Sequence, residues 1–126
     1  MTCILDASAM LALIFDEPGG EIVAQVARGA RLLSVNFTEV VQRVIVIDGN
    51  PQRAEEAVDR LEIEVVPFDR ELARSTADLR EPTSFIGASL ADRACLALGR
   101  QSGLAILTAD RDWRKLSLDI EIQLIR

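Results

Sequence analysis

Apolar residues follow two alternating patterns along this chain. Short aliphatic runs are typical of buried strands, and they alternate with longer stretches whose apolar residues have helical spacing. The predicted strands are 2–5, 31–35, 64–66, 104–107 and 120–125. The predicted helices are 7–15, 21–28, 37–47, 52–61, 70–79 and 90–102, and 81–87 is predicted to be a loop. Strands that alternate with helices predict an α/β protein whose parallel sheet is covered on both faces.

The segment 37–47 is compatible with two kinds of element. Its residues Val44-Ile-Val-Ile47 suit a strand as well as a helix. Asn36 is a good N-cap residue, and Asp48-Gly49-Asn50-Pro51 is a typical helix end. We therefore predict a helix that begins after Asn36. We expect its unusually β-branched surface to pack against another subunit or against the core.

Length and composition favour one globular domain spanning residues 1–126. A chain of 126 residues has the size of an ordinary domain. Only 4% of the residues are aromatic, so the core must be aliphatic. The apolar runs are shorter than the roughly 18 residues of a membrane span, and the N-terminus does not resemble a signal peptide. We expect a cytoplasmic protein in which Cys3 and Cys95 are buried, reduced thiols.

Net charge and residue types limit the reaction mechanisms that the protein can use. The net charge is −6 at pH 7, which is unfavourable for binding nucleic acid. Lys115 is the only lysine, so the remaining basic residues are arginines, which suit phosphate but are also favoured by GC-rich coding. The chain contains no histidine, which excludes an imidazole-based ribonuclease and leaves metal-dependent hydrolysis as the open nuclease mechanism.

Four acidic residues stand where chain and sheet geometry would bring them together. Asp6 and Asp110 follow two predicted strands, whereas Glu39 and Asp92 lie in the first turns of two predicted helices. Ligands of parallel sheets bind at the carboxyl ends of the strands, and helices that follow strands begin at that same edge. We therefore expect all four carboxylates to converge at one rim, where Mg²⁺ would offset their repulsion and accept their oxygen atoms.

Each of these acids also has a purely structural interpretation. Asn36-Phe-Thr-Glu39 and Ser89-Leu-Ala-Asp92 have the spacing of a capping box or a close variant. Asp6 fits the N-cap of the next helix, and Asp110 fits the start of a turn. The residues by themselves leave a metal site and a set of structural caps equally open.

The acids lie in four short motifs that resemble those of the PIN-domain family, and more closely of VapC toxins from toxin–antitoxin pairs. The motifs are Leu5-Asp6-Ala7-Ser8-Ala9, followed by Glu17-Pro18-Gly19; Asn36-Phe-Thr-Glu39-Val40; Ser89-Leu90-Ala-Asp92-Arg-Ala94; and Leu107-Thr108-Ala-Asp110. Each motif is weak, but their order on an alternating α/β chain of this length is specific.

The resemblance implies a three-layer α/β/α sandwich with a parallel five-stranded sheet and a Mg²⁺- or Mn²⁺-dependent endoribonuclease. Asp6, Asp92 and Asp110 would be metal ligands, directly or through water, and Glu39 would be a ligand or would position the water. The hydrogen-bonding supports of these acids would be Ser8, Asn36 and Thr108, while Asp112 would either join the cluster or sit in the turn. Candidate RNA contacts are Arg43, Arg93 and Arg111. The resemblance also implies a homodimer that is neutralised by an antitoxin.

Three other functions remain open. A phosphoacceptor receiver domain is also a parallel α/β protein with clustered acids, but it needs a lysine at a late strand end, and Lys115 does not fit. A catalytically silent PIN-like binding module is a second alternative, although such a protein would be expected to lose at least one acid. A PIN nuclease that processes RNA without being a toxin is the third.

Overall fold

Five short strands form one parallel sheet in the order β3-β2-β1-β4-β5. The computed structural model describes residues 2–126. The strands are β1 (Ile4–Leu5), β2 (Arg31–Leu33), β3 (Glu64–Val66), β4 (Ile106–Thr108) and β5 (Ile122–Leu124). All five predicted strands are present, although four of them are shorter than predicted, because only part of each run pairs with a neighbouring strand, and β4 ends one residue later than predicted.

Seven α-helices connect and cover the strands within residues 2–126. They are α1 (Ala7–Ile14), α2 (Gly20–Val26), α3 (Ser34–Asp48), α4 (Gln52–Arg60), α5 (Arg70–Asp78), α6 (Arg80–Thr83) and α7 (Leu90–Ser102). Two 3₁₀ turns cover Ser84–Ile86 and Arg111–Lys115. No helix of the described chain is both long and apolar enough to cross a bilayer.

The helices lie in two layers, one on each face of the sheet. Successive strand residues point to opposite faces, and the buried side chains divide accordingly. Leu5 and Leu107 pack with core residues of α1 to α4. Ile4 and Ile106 pack with those of α5 and α7. The α/β/α sandwich is therefore confirmed, and Cys3 and Cys95 are buried, free thiols as predicted.

The centre of the sheet is where the chain order reverses. β1 is the middle strand, with β2 on one side and β4 on the other. Parallel sheets bind ligands outside the carboxyl ends of their strands at such a reversal. Asp6, which follows β1, and Asp110, which follows β4, both lie at this position.

The start of α3 corrects one prediction. The helix begins at Ser34, directly after β2, and its N-cap is Leu33, which gives no side-chain cap. Asn36 is thus inside the first turn and is not the N-cap, so the proposed Asn36–Glu39 capping box is wrong. Because Asn36 is only 2% exposed, its amide is turned into the protein. The helical assignment of 37–47 is itself confirmed.

The predicted loop 81–87 is also wrong. Most of it folds as the end of α6 and the first 3₁₀ turn. Thr83 is buried in this segment, and its hydroxyl donates to the carbonyl of Leu79, which satisfies the buried polar group within the helical turn. Pro82 is compatible with this short helix because it lies in its first turn.

Candidate active site

A cleft of about 490 Å³ lies at the carboxyl edge of the sheet. Its acidic lining residues are Asp6, Glu39, Asp92 and Asp110. They come from the β1–α1 junction, from α3, from α7 and from the turn after β4. The structure therefore brings together the four acids that the sequence singled out.

Asp6 is the most deeply buried of these acids, at 6% exposure. It caps α1: its Oδ1 accepts hydrogen bonds from the backbone N–H of Ala9 at 2.8 Å and from the hydroxyl of Ser8 at 2.7 Å. Its Oδ2 accepts a hydrogen bond from the Thr108 hydroxyl. Both oxygens are thus fixed in orientation, and β1 and β4 are tied together at the edge of the cleft.

Ser8 and Thr108 extend this network toward Asp110. The Thr108 hydroxyl accepts from the backbone N–H of Asp110 at 3.0 Å, and the Ser8 hydroxyl accepts from the backbone N–H of Ala109 at 2.9 Å. Their own oxygens are 3.4 Å apart. The two hydroxyls therefore hold the turn after β4 against Asp6.

Asn36 connects Glu39 to α7. Its Nδ2 donates to Glu39 Oε1 at 3.0 Å and to the carbonyl of Ala91 at 3.3 Å. The Asn36 amide does not cap α3 as predicted but links α3 to α7 by hydrogen bonds. It thereby holds Glu39 beside α7, the helix that carries Asp92. Asn36 Oδ1 is buried and has no hydrogen-bond partner within residues 2–126.

Asp92 and Asp110 both have the capping role that the sequence allowed. Asp92 Oδ2 accepts from the Ser89 backbone N–H at 3.0 Å, and Ser89 Oγ accepts from the Asp92 N–H at 3.1 Å, which completes a capping box. Asp110 Oδ1 accepts from the backbone N–H of Asp112 at 3.0 Å. In each acid the other carboxylate oxygen accepts no hydrogen bond from the described residues.

Ser89→Ala should lower the free energy of unfolding by about 1 kcal/mol, because α7 loses its N-cap hydroxyl. Urea unfolding monitored by circular dichroism measures this change. Ser117→Ala is the matched control, since Ser117 is exposed and its hydroxyl makes no hydrogen bond in residues 2–126. Equal stability of the two variants would contradict the capping role of Ser89.

Burial, with a smaller contribution from neighbouring negative charge, determines the electrostatics of the cleft. Burial raises the pKa of Asp6 to about 6, the negative charge of Asp92 adds a smaller increase, and the hydrogen bonds from Thr108, Ala9 and Ser8 act in the opposite direction. Cys95 is a buried residue of α7. Its burial and the charges of Asp6, Asp92 and Glu39 raise its thiol pKa well above the usual value. A cation in the cleft would relieve this repulsion.

The donor set fits a hard divalent cation but does not form a closed cage. Carboxylate oxygens, together with the unpartnered Asn36 Oδ1, are the ligand type that Mg²⁺ prefers. Within residues 2–126, however, no three Asp, Glu, Cys or His side chains are grouped closely enough to hold one ion. Mg²⁺ usually keeps several waters and binds only one or two carboxylates directly, so the open arrangement is compatible with it.

The remaining candidates divide between the cleft and other surfaces. Arg43 lines the cleft, whereas Arg93 and Arg111 do not. Asp112 is also outside, where its Oδ1 lies 3.0 Å from Lys115 Nζ. Sequence reasoning missed four lining residues, which are Ala7, Leu11, Gln42 and Val46. Gln42 and Val46 follow Glu39 at intervals of three and seven residues, so helical spacing would have placed them on the same face.

Comparison with solved structures shows a shared fold. A DNA-bound VapBC complex from Salmonella typhimurium contains a chain with a TM-score of 0.76 and 18% identity, over 100% of this chain and 99% of that chain. VapC20 from Mycobacterium tuberculosis, a toxin that cleaves the sarcin-ricin loop, has a TM-score of 0.76 and 15% identity, over 96% and 99%. A toxin–antitoxin complex from Klebsiella pneumoniae has a TM-score of 0.76 and 15% identity, over 95% and 99%.

Sequence comparison identifies the family. No match to this chain was found among curated proteins. The PIN domain, however, matches residues 3–118, which include all four acidic motifs and nearly the whole chain. The chain belongs to the PIN domain family.

Proposed function

We propose that this protein is a metal-dependent endoribonuclease that cleaves RNA phosphodiester bonds in the acidic cleft, and that it is the toxin of a toxin–antitoxin pair. The observation that carries the proposal is the convergence of Asp6, Glu39, Asp92 and Asp110 from four separate parts of the chain. Capping accounts for Asp6, Asp92 and Asp110, but it does not explain why Glu39, which caps no helix, faces the same cleft. Several carboxylates facing one cleft are what a phosphodiester-cleaving metal site uses.

The acids would bind Mg²⁺ or Mn²⁺. Asp6, Asp92 and Asp110 would hold it, directly or through water. Ser8 and Thr108 orient the oxygens of Asp6, and Thr108 also accepts from the backbone N–H of Asp110. When bound, such an ion activates water and stabilises negative charge on the scissile phosphate. Asp92 and Asp110 each use one carboxylate oxygen for capping, and the other oxygen accepts no hydrogen bond from the described chain. A metal ion could therefore bind these free oxygens without breaking the capping hydrogen bonds.

Glu39 would position the attacking water. Asn36 fixes Glu39 Oε1, and the other oxygen accepts no hydrogen bond within residues 2–126. Hydrolysis adds the hydroxide of water to phosphorus and transfers a proton to the leaving oxygen, so the water must be held in line with the bond that breaks. Arg43 is the cationic residue of the described chain that lines the cleft, and it would contact a substrate phosphate.

The proposed partners rest on fold likeness and on one exposed surface. The Klebsiella pneumoniae structure described above is a toxin–antitoxin complex, and a similar partner is proposed here. The last turns of α3 expose Ile45, Val46 and Ile47, with Val46 at 74% exposure. An apolar surface of this kind supports the proposed homodimer. A toxin that cuts cellular RNA would act in the cytoplasm.

Cleavage of total cellular RNA by the purified protein tests the proposal. We expect discrete fragments with Mg²⁺ or Mn²⁺ and none with EDTA. Absence of cleavage with every divalent ion would overturn the nuclease and favour a silent binding module. Metal-dependent cleavage without growth arrest on expression would instead favour an RNA-processing nuclease.

A further inference from the structure

A second concave surface, of about 370 Å³, lies beside the turn that carries Asp110. We refer to it as the arginine pocket, and its lining residues are Arg111, Arg114, Leu124, Ile125 and Arg126. We propose that the arginine pocket binds a backbone phosphate of the RNA strand whose scissile phosphate lies in the acidic cleft. This inference rests on the proposed function and adds a substrate-binding site to it.

The 3₁₀ geometry of residues 111–115 concentrates positive charge on one side of the turn. Side chains three residues apart eclipse in a 3₁₀ helix, so Arg111 and Arg114 share one face. The same spacing pairs Asp112 with Lys115, whose charged atoms are 3.0 Å apart. Asp112, the acid of this turn, is therefore paired with a lysine on another face. It does not neutralise the positive charges of Arg111 and Arg114.

Most of the guanidinium donors in the pocket are available to a ligand. Arg114 takes part in no ion pair or hydrogen bond with another described residue. Arg111 uses its Nε to donate to the carbonyl of Arg126 at 3.3 Å. Arg126 donates from Nη1 to the carbonyl of Pro18 at 2.7 Å, and this nitrogen lies 3.9 Å from Glu17 Oε1. Each guanidinium carries five N–H donors, so many remain for phosphate oxygens.

The sheet places the arginine pocket on the same rim as the cleft. Arg111 follows β4 by way of Asp110, and Ile125 and Arg126 follow β5 directly. β4 and β5 are parallel neighbours, so their carboxyl ends lie at one edge, about 5 Å apart in the pairing direction. A strand of RNA that runs along this edge would pass from the acids of β1 and β4 to the arginines beyond β4 and β5.

Charge explains why the substrate needs this second contact. The protein carries a net charge of −6 and its cleft is acidic, so long-range electrostatics repel RNA. Of the basic residues, only Arg43 lines the cleft within the described chain. Arginine forks bind phosphate oxygens in a bidentate manner, and three of them at one pocket supply the local attraction that the cleft does not.

Fluorescence anisotropy with a labelled single-stranded RNA of mixed sequence tests the pocket without requiring cleavage, because EDTA is present throughout. The double variant Arg111→Gln/Arg114→Gln should bind about tenfold more weakly, and its log–log salt slope should fall by about 0.7 for each phosphate that the variant no longer neutralises. Arg70→Gln/Arg100→Gln is the matched control. Both of its arginines are exposed, and neither lines the pocket. The control should bind RNA like the wild-type protein.

Equal RNA affinities for the pocket variant and the control would overturn the phosphate site. Arg114→Gln alone serves as a second variant, because that side chain makes no intramolecular bond within residues 2–126 and the fold should be unchanged. If the pocket variants lose affinity for an acidic peptide but not for RNA, the pocket is a protein interface and the proposal is wrong.

Cleavage assays separate this inference from the nuclease itself. Metal-dependent cleavage with an unchanged KM in the pocket variant would retain the nuclease and overturn the phosphate site. RNA binding that depends on Arg111 and Arg114, in a protein that cleaves nothing, would retain the phosphate site and overturn the nuclease. A raised KM with little change in kcat is the expected result.

Discussion

Asp92→Asn should reduce metal-dependent RNA cleavage by at least about 100-fold, since even the outer hydrogen-bond partners of metal ligands are worth roughly 10–100-fold. The side chain keeps its shape, and its amide oxygen can still accept the Ser89 N–H bond that Asp92 Oδ2 accepts now. The substitution therefore removes a charge and a cation ligand from the cleft while preserving the start of α7. Retained helical content and thermal stability would show that the loss is chemical.

Asp112→Asn is the control for this experiment. Asp112 is an acid close to Asp110 in sequence, but it does not line the cleft and it pairs with Lys115. Its substitution changes the net charge by the same amount, and cleavage should remain near the wild-type rate. Equal loss of activity in both variants would indicate a general charge effect, and full activity of Asp92→Asn would refute the assignment of the metal site.

The structural and catalytic interpretations of the acids prove to be compatible. Ser89 and Asp92 form the capping box that the sequence suggested, and Asp6 caps α1. A cap uses only part of a carboxylate, and Asp92 retains an oxygen with no partner in residues 2–126. The start of a helix at the carboxyl edge of a parallel sheet thus orients an acid by its own backbone. At Asp6 the hydroxyls of Ser8 and Thr108 add to this orientation.

Local patterns were sufficient to predict the sheet, the helices that cover it and the rim that collects the acids. Leu5 and Leu107 illustrate the reason: strands buried on both faces are recognisable as continuous aliphatic runs. The same patterns failed at Asn36, because its role depends on Ala91, a residue distant in sequence, to which its amide donates. Capping preferences describe only neighbours along the chain.

The arginine pocket escaped prediction for a related reason. Its position next to Asp110 in the sequence suggests that Arg111 contacts RNA at the cleft, but Arg111 does not line the cleft and lines the arginine pocket with Arg114 and Arg126. The 3₁₀ turn that aligns Arg111 with Arg114 has no apolar periodicity that would reveal it. The position of Arg126 depends on β5 lying beside β4, which only the sheet order determines.

Asp6→Asn should stabilise the metal-free protein at neutral pH by up to about 3 kcal/mol. Burial raises the pKa of Asp6 from 3.8 to about 6 in the folded state. The protonated Asp6 carboxyl therefore contributes its full stabilisation of the folded state below about pH 4. This stabilisation is lost as the pH rises through about 6 and the carboxyl ionises. At about 1.4 kcal/mol for each pH unit, ionising this carboxyl costs about 3 kcal/mol. Asparagine does not ionise and can still accept the bond from Ala9, so the variant avoids that cost.

Urea unfolding in EDTA between pH 4 and pH 8 measures this effect. The stability advantage of Asp6→Asn should be small near pH 4, grow up to about pH 6 and stay constant above it. Asp119→Asn, a substitution of an exposed acid, should change the unfolding free energy by less than about 0.5 kcal/mol. A variant that is less stable than the wild-type protein at pH 8 would contradict the cost assigned to Asp6.

Added Mg²⁺ should stabilise the wild-type protein and leave Asp6→Asn nearly unchanged, because ligands that bind only the folded state stabilise it. The instability of the metal-free cleft and its affinity for a cation would then have the same origin in the buried charge of Asp6.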